Sequence, residues 1–92
     1  MSLLTESQIS VELATVPGWT RDGNSITTVT SRKDFRDALL YVGAVAYLAE
    51  SANHHPDVTI QWNKVTLTLS THSAGGLTAS DFALARQISA LS

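Results

Sequence analysis

Apolar and polar residues follow one another with several different spacings, and each change of spacing marks a new element of the chain. Thr5 and Gln8 form the pattern of a capping box, apolar residues follow at helical spacing, and Pro17 ends the segment. An Asp-Gly-Asn turn signal at 22–24 precedes a run of β-branched residues at 26–30. The first third of the chain therefore predicts a short helix followed by a β-hairpin.

The longest periodic segment begins near Ser31 and ends before Pro56. The pattern at Ser31 and Asp34 is typical of a helix cap, and the proline bars continuation of the helix. Apolar residues at helical offsets predict one buried face, formed by Phe35, Ala38, Leu39, Val42, Val45, Ala46 and Ala49. A second group lies off that face and predicts a helix–helix contact between subunits, namely Leu40, Tyr41, Tyr47 and Leu48.

After Pro56 the period changes to two, which predicts a second hairpin with its turn near Asn63-Lys64. In this register Val58 pairs roughly with Leu69. A cap at Thr78 then begins a final helix. The resulting order is α-β-β-α-β-β-α, and antiparallel hairpins with helices packed on one face make a two-layer α+β fold.

The composition describes a small globular protein. The 92 residues, 43% of them hydrophobic, predict one domain at 1–92. A net charge of -2 argues against direct binding to nucleic acid or to an anionic membrane, and the absence of cysteine excludes disulfides, cysteine nucleophiles and thiolate metal sites. The beginning of the chain lacks a signal-type segment and no apolar run reaches membrane-spanning length, so we expect a cytoplasmic protein.

The candidate chemistry lies at the ends of the predicted elements. His54 and His55 occupy the joint between the long helix and the second hairpin, and His72 lies just beyond that hairpin. The hairpin should bring His72 and the residues before it next to the histidine pair. Imidazoles give and take protons near neutral pH, and a carboxylate such as Glu50 or Asp81 can orient one. The set suits acid–base chemistry without a covalent nucleophile, such as elimination or addition of water.

Plainer interpretations of the same residues stay open. Histidines of a small protein often lie at the surface, and a pair at a helix end can interact with the helix dipole. Three histidines can also ligate a transition metal, although neighbours in extended chain point to opposite sides. Glu50 and Asp81 read individually as an exposed carboxylate and a helix cap.

The ordered set Glu50, His54-His55-Pro56, Trp62, His72 and Asp81 resembles the signature of the pterin-4a-carbinolamine dehydratase family. The resemblance covers residues 50–81 most specifically. It implies a four-stranded antiparallel sheet with three helices on one face. It also implies dehydration of 4a-hydroxytetrahydropterin to quinonoid dihydropterin, in the recycling of tetrahydropterin for aromatic amino acid hydroxylases, with no metal and no organic cofactor.

The resemblance also implies roles for single residues. His54 and His72 would transfer protons, and His55 would orient the pterin or share the acid–base work. The implied substrate-binding residues are Glu50, Pro56, Ser70 and Thr71 through their backbone groups, and Asp81 near the pocket entrance. Trp62 and Trp19 are expected in the core or in an interface rather than against the substrate.

A second class of function stays open beside the enzyme. Some members of this family act as dimerisation cofactors of transcription factors or as assembly factors, so the chain could be a binding module. Self-association as a homodimer or homotetramer is expected in either case, and a hydroxylase or a regulatory protein is a possible partner.

Overall fold

The computed structural model describes residues 2–91 and has the predicted order of elements. Its four strands form one antiparallel sheet in the order β1-β2-β4-β3, and its helices lie between and after the two hairpins. The α+β fold class is confirmed. The bounds are α1 (Glu6–Leu13), β1 (Thr20–Asp22), β2 (Ser25–Ser31), α2 (Phe35–Ala52), β3 (Asp57–Gln61), β4 (Lys64–Leu69), a 3₁₀ turn (His72–Ala74) and α3 (Ala79–Ser89).

The core lies between the helices and one face of the sheet. On β4 the side chains of Val65, Leu67 and Leu69 are fully buried, whereas Thr66 and Thr68 alternate with them and are only half-buried. This is the period of a strand with one packed face and one open face. Buried residues from all three α-helices complete the cluster, including Ile9, Ala38, Val45, Ala49, Phe82, Ala85 and Ile88.

The β3–β4 connection differs from the predicted one by one position. Gln61 pairs with Lys64, so the turn consists of Trp62 and Asn63, and Val58 pairs with Leu67 instead of Leu69. The Asn63 side chain donates to the carbonyl of Arg32 at 2.8 Å, which anchors the turn to the segment after β2. Trp62 adopts a left-handed backbone with a φ of 53° and is 70% exposed. Its alternation with the apolar strand residues therefore did not indicate burial.

The buried face of α2 is rotated relative to the prediction. Phe35 and Leu39 are about half exposed, and the fully packed residues include Tyr41, which was placed outside the core. The Arg32 guanidinium lies 4.6 Å from the centroid of the Tyr41 ring and covers it. Burial raises the pKa of Tyr41. Leu48 is half-buried and packs against the core cluster, so it does not belong to a free second face.

The start of α2 is also shifted. Ser31 is still paired with Lys64 in the sheet, and Asp34 is the N-cap, its carboxylate accepting from the backbone N–H of Asp37 at 2.8 Å. The predicted cap one turn earlier is therefore wrong, because the strand continues through Ser31. Leu40 and Tyr47 are exposed as predicted.

The other two helices begin where local sequence predicts. Thr5 and Gln8 form a capping box at α1, and Thr78 and Asp81 form one at α3. Near the end of α3, the indole N–H of the buried Trp19 donates to the Ser89 hydroxyl at 3.1 Å. No helix in residues 2–91 combines the length and apolarity needed to cross a bilayer.

Candidate active site

The end of α2 delivers two histidines to the start of the second hairpin. The helix is closed by Asn53, which takes a left-handed conformation at φ 49° and ψ 43°. The backbone N–H of His54 donates back to the carbonyl of Ala49 at 3.1 Å. Pro56 follows directly and β3 begins at the next residue. His54 and His55 are consequently held between a capped helix end and a strand.

The two neighbouring imidazoles point in different directions, and each contacts its own carboxylate. Nε2 of His54 lies 2.6 Å from Oδ1 of Asp81, and the His54 side chain is 13% exposed. Nε2 of His55 forms a hydrogen bond with Oε2 of Glu50, and both of these side chains are mostly exposed. The result is one sealed histidine–carboxylate pair and one pair open to water.

Asp81 is the most deeply buried polar group of this region. Its side chain is 0% exposed, and its Oδ2 accepts from the Thr71 hydroxyl at 2.8 Å and from the backbone N–H of Thr78 at 2.9 Å. The hydroxyls of Thr71 and Thr78 lie 2.7 Å apart, and both residues are buried. A carboxylate in the core needs such partners to offset the loss of water.

The segment after β4 places Thr71 inward and His72 outward. Thr71 pairs with Gly76 in an isolated bridge, and Gly75 makes the tight return with a φ of 78°. The His72 side chain at the start of this loop is exposed. Since Thr71 and His54 bond to the same carboxylate, the predicted proximity of the two segments is confirmed for this pair.

The backbone groups proposed to bind the ring edge are partly used by the loop itself. The N–H of Thr71 donates to Gly76, and its carbonyl accepts from the amides of residues 74–76. The hydroxyl of Ser70 donates to the carbonyl of Asn24 at 2.7 Å, which ties the end of β4 to the first hairpin. Thr71 therefore acts within this structure as a support of the loop and of Asp81.

The exposed histidine pair borders an apolar cavity of about 250 Å³ between α2 and the start of β3. Glu50, His55 and Pro56 are in its lining, together with Val58 and the apolar side of α2. His54, His72 and Asp81 do not line it. The predicted residues thus fall into two adjoining groups, which share the joint at His54-His55.

One supporting residue was not predicted from sequence. Thr78 was identified only as a helix cap, whereas its hydroxyl also contacts Thr71. The Thr-x-x-Asp pattern signals the cap, but a contact with a residue of a preceding loop has no local signature. Within residues 2–91 no cluster of three or more histidine or carboxylate side chains is arranged to hold a metal ion.

Comparison with known proteins identifies the family. Residues 2–91 match the family model described as Pterin 4 alpha carbinolamine dehydratase. A protein of Roseiflexus castenholzii, provisionally named pterin-4-alpha-carbinolamine dehydratase, is 52% identical over 95% of this chain and 94% of its own. A Nocardia farcinica protein with the same provisional name is 51% identical over 97% of this chain and 94% of its own.

Solved structures give the same result. The crystal structure of a transcriptional coactivator/pterin dehydratase from Brucella melitensis superposes with a TM-score of 0.91 at 36% identity, covering 96% of both chains. A pterin dehydratase-like RuBisCO assembly factor of the alpha-carboxysome has a TM-score of 0.64 at 19% identity, over 79% of this chain and 84% of its own, and shares the fold. The sequence match, the fold and the histidine–carboxylate site agree, and this chain belongs to the pterin 4 alpha carbinolamine dehydratase family.

Proposed function

We propose that residues 1–92 form one dehydratase domain that converts 4a-hydroxytetrahydropterin into quinonoid dihydropterin and water. The observation that carries this proposal is the sealed His54–Asp81 pair, with Nε2 and Oδ1 2.6 Å apart, in a member of this family. A histidine held by a buried carboxylate is oriented for proton transfer and stabilised when it takes up a proton.

The reaction needs two proton transfers and no oxidant. The C4a–O bond breaks as the leaving hydroxyl receives a proton and departs as water. The N5–H bond breaks as its proton goes to a base, and its electron pair forms the C4a–N5 double bond. His54 and His72 supply these transfers. His72 is exposed on the loop that begins at Thr71, and Thr71 shares Asp81 with His54.

The remaining site residues hold the substrate. His55 and Glu50 border the apolar cavity with Pro56, and a flat heteroaromatic ring suits a cavity with apolar walls and a few polar groups. Ser70 lies at the end of β4 beside the same joint. Asp81 acts on His54 from below instead of contacting the pterin, because it is sealed in the core.

The cellular role follows from this chemistry. The enzyme works in the cytoplasm without a metal or an organic cofactor, returns pterin to the pool used by aromatic amino acid hydroxylases, and binds neither nucleic acid nor membrane directly.

A second function is favoured by exposed apolar residues on α2 and on the sheet edge. Phe35, Leu39 and Tyr47 of α2, Val58 of the edge strand β3 and Trp62 at its turn are all exposed. Apolar side chains beside an unpaired strand edge are typical of association sites. We propose that the chain forms a homodimer or homotetramer, and that the same surface serves a regulatory or assembly partner if catalysis is dispensable.

The decay of 4a-hydroxytetrahydropterin in the ultraviolet tests the enzyme. The substrate is generated in situ by a phenylalanine hydroxylase, and buffer, wild type and His54→Ala are compared. We expect wild type to accelerate the decay and His54→Ala to lose at least about a hundredfold of that acceleration. Decay at the buffer rate with folded wild-type protein would leave the binding function as the better explanation.

A further inference from the structure

The hydrogen bonds beneath Asp81 have a fixed direction. An ionised carboxylate only accepts, so the Thr71 hydroxyl must donate its single proton to Oδ2 of Asp81 across 2.8 Å. The Thr71 oxygen can then only accept from the Thr78 hydroxyl, 2.7 Å away. The backbone N–H of Thr78 donates to the same Oδ2 at 2.9 Å. The chain of donors therefore runs from Thr78 through Thr71 to Asp81.

This arrangement restricts rotation of the carboxylate. Oδ2 is engaged by two donors from two different segments, which leaves Oδ1 directed at Nε2 of His54, 2.6 Å away. All three supporting residues are buried, so water does not substitute for them. The acceptor facing the imidazole is consequently set by Thr71 as much as by Asp81 itself.

The tautomer of His54 follows from this acceptor. A neutral imidazole bonded to a carboxylate through Nε2 carries its proton on Nε2 and its lone pair on Nδ1. Nδ1 has no hydrogen-bond partner in residues 2–91, and it is not among buried polar atoms left without a partner, so it is open to solvent. Nδ1 is then the atom that can exchange a proton with a ligand.

We propose that Thr71, supported by Thr78, is a positioning residue that makes His54 accept and return its catalytic proton through Nδ1. This inference rests on the proposed dehydratase function for its kinetic consequence, but the tautomer itself belongs to the free protein. Thr71 also begins the loop that carries His72, bridged at Gly76, so one side chain fixes both the carboxylate and the base of that loop.

Three variants isolate the hydroxyl. Thr71→Val keeps the shape and removes the donor, and Thr71→Ser keeps the donor. Thr68→Val is the matched control, because its hydroxyl is paired with that of Thr27 at 3.3 Å on the neighbouring strand and does not contact Asp81. Circular dichroism establishes that each variant is folded before it is compared.

The first measurement is a long-range ¹H–¹⁵N correlation spectrum of the histidine rings at a pH where the imidazoles are neutral. We expect His54 of wild type to carry its proton on Nε2, with an observable Nε2–H resonance. Thr71→Val should mix the two tautomers or lose that resonance, and Thr71→Ser and Thr68→Val should match wild type. Wild-type His54 protonated on Nδ1, or an unchanged Thr71→Val spectrum, would overturn the proposal.

The second measurement is the dehydratase rate. We expect Thr71→Val to lower kcat by roughly tenfold or more, as loss of a group that orients a reactive side chain does, while KM stays within about twofold. Thr71→Ser should restore kcat. A fall in both variants alike, or a change confined to KM, would contradict positioning through the hydroxyl.

The two measurements separate this inference from the function. If wild type does not accelerate dehydration, the proposed function fails, and the wild-type spectrum still decides the tautomer. If Thr71→Val does not fold, the wild-type tautomer and the Thr71→Ser rate remain decisive.

Discussion

Replacing Asp81 by alanine removes the shared acceptor of three hydrogen bonds, which come from His54, Thr71 and Thr78. A buried donor left without an acceptor costs about 1–3 kcal/mol. Water can reach the partly exposed His54 ring, but Thr71 and Thr78 are sealed. Two sealed donors give a loss of roughly 2–6 kcal/mol in the free energy of unfolding.

This loss is large for a domain of this size, whose total stability is typically about 5–15 kcal/mol. Asp81→Asn keeps one carbonyl acceptor and should lose less, about 1–3 kcal/mol. The matched control is Asp57→Asn, since Asp57 is exposed and its carboxylate has no hydrogen bond within residues 2–91. It should stay within about 0.5 kcal/mol of wild type.

Urea unfolding followed by circular dichroism measures all four proteins with the same baseline treatment. The reasoning requires the order wild type, Asp57→Asn, Asp81→Asn, Asp81→Ala in decreasing stability, with an unchanged dependence on urea. Asp81→Ala as stable as Asp57→Asn would refute it, because the three donors would then have found other partners at no cost.

Two further predictions concern the surface. Leu39→Glu should reduce the particle mass in light scattering to that of a single chain, since Leu39 lies on the exposed apolar side of α2; Leu48 is unsuited to this test because it packs against the core. The backbone N–H of Lys33 and the Arg32 guanidinium lower the pKa of Asp37, so the Asp37 carboxylate stabilises the fold above its unfolded pKa and this is lost as pH falls through the folded pKa. Asp37→Asn should therefore be less stable than wild type at pH 7 in urea unfolding, and the difference should close below about pH 4.

Each of these has a control on the same molecule. Val11→Glu places the same charge on an equally apolar and exposed position of α1, away from α2, and should leave the particle mass unchanged. For Asp37 the comparison is again Asp57→Asn, which should track wild type at every pH. An assembly insensitive to Leu39→Glu, or a stability gap at Asp37 that persists in acid, would count against the assigned surface or ion pair.

Much of the fold could be predicted because its signals are local. The caps at Thr5 and Thr78 each involve residues three positions apart, and the alternation at 65–69 matches the buried and half-buried sides of β4. The face of α2 could not be predicted in full. Burial of Tyr41 depends on its cover by Arg32, which lies outside the helix.

The candidate site divides in the same way. The positions of His54 and His55 at a helix end follow from Pro56, which is a local signal. The burial of Asp81 does not, because its partners lie 27 and 10 residues away in the chain, at His54 and Thr71. A carboxylate in a capping box usually faces water, and only tertiary packing converts it into the support of a histidine.

The contrasting positions of the two tryptophans give this chain two separate optical reporters. Trp19 is enclosed and donates its indole N–H to Ser89, whereas Trp62 stands in water at the β3–β4 turn. A small neutral quencher therefore reaches one indole and not the other in the native state. Emission that resists quenching reports on the integrity of the core, and the quenchable part reports on whatever covers the turn, so one fluorescence experiment follows unfolding and association separately without a label.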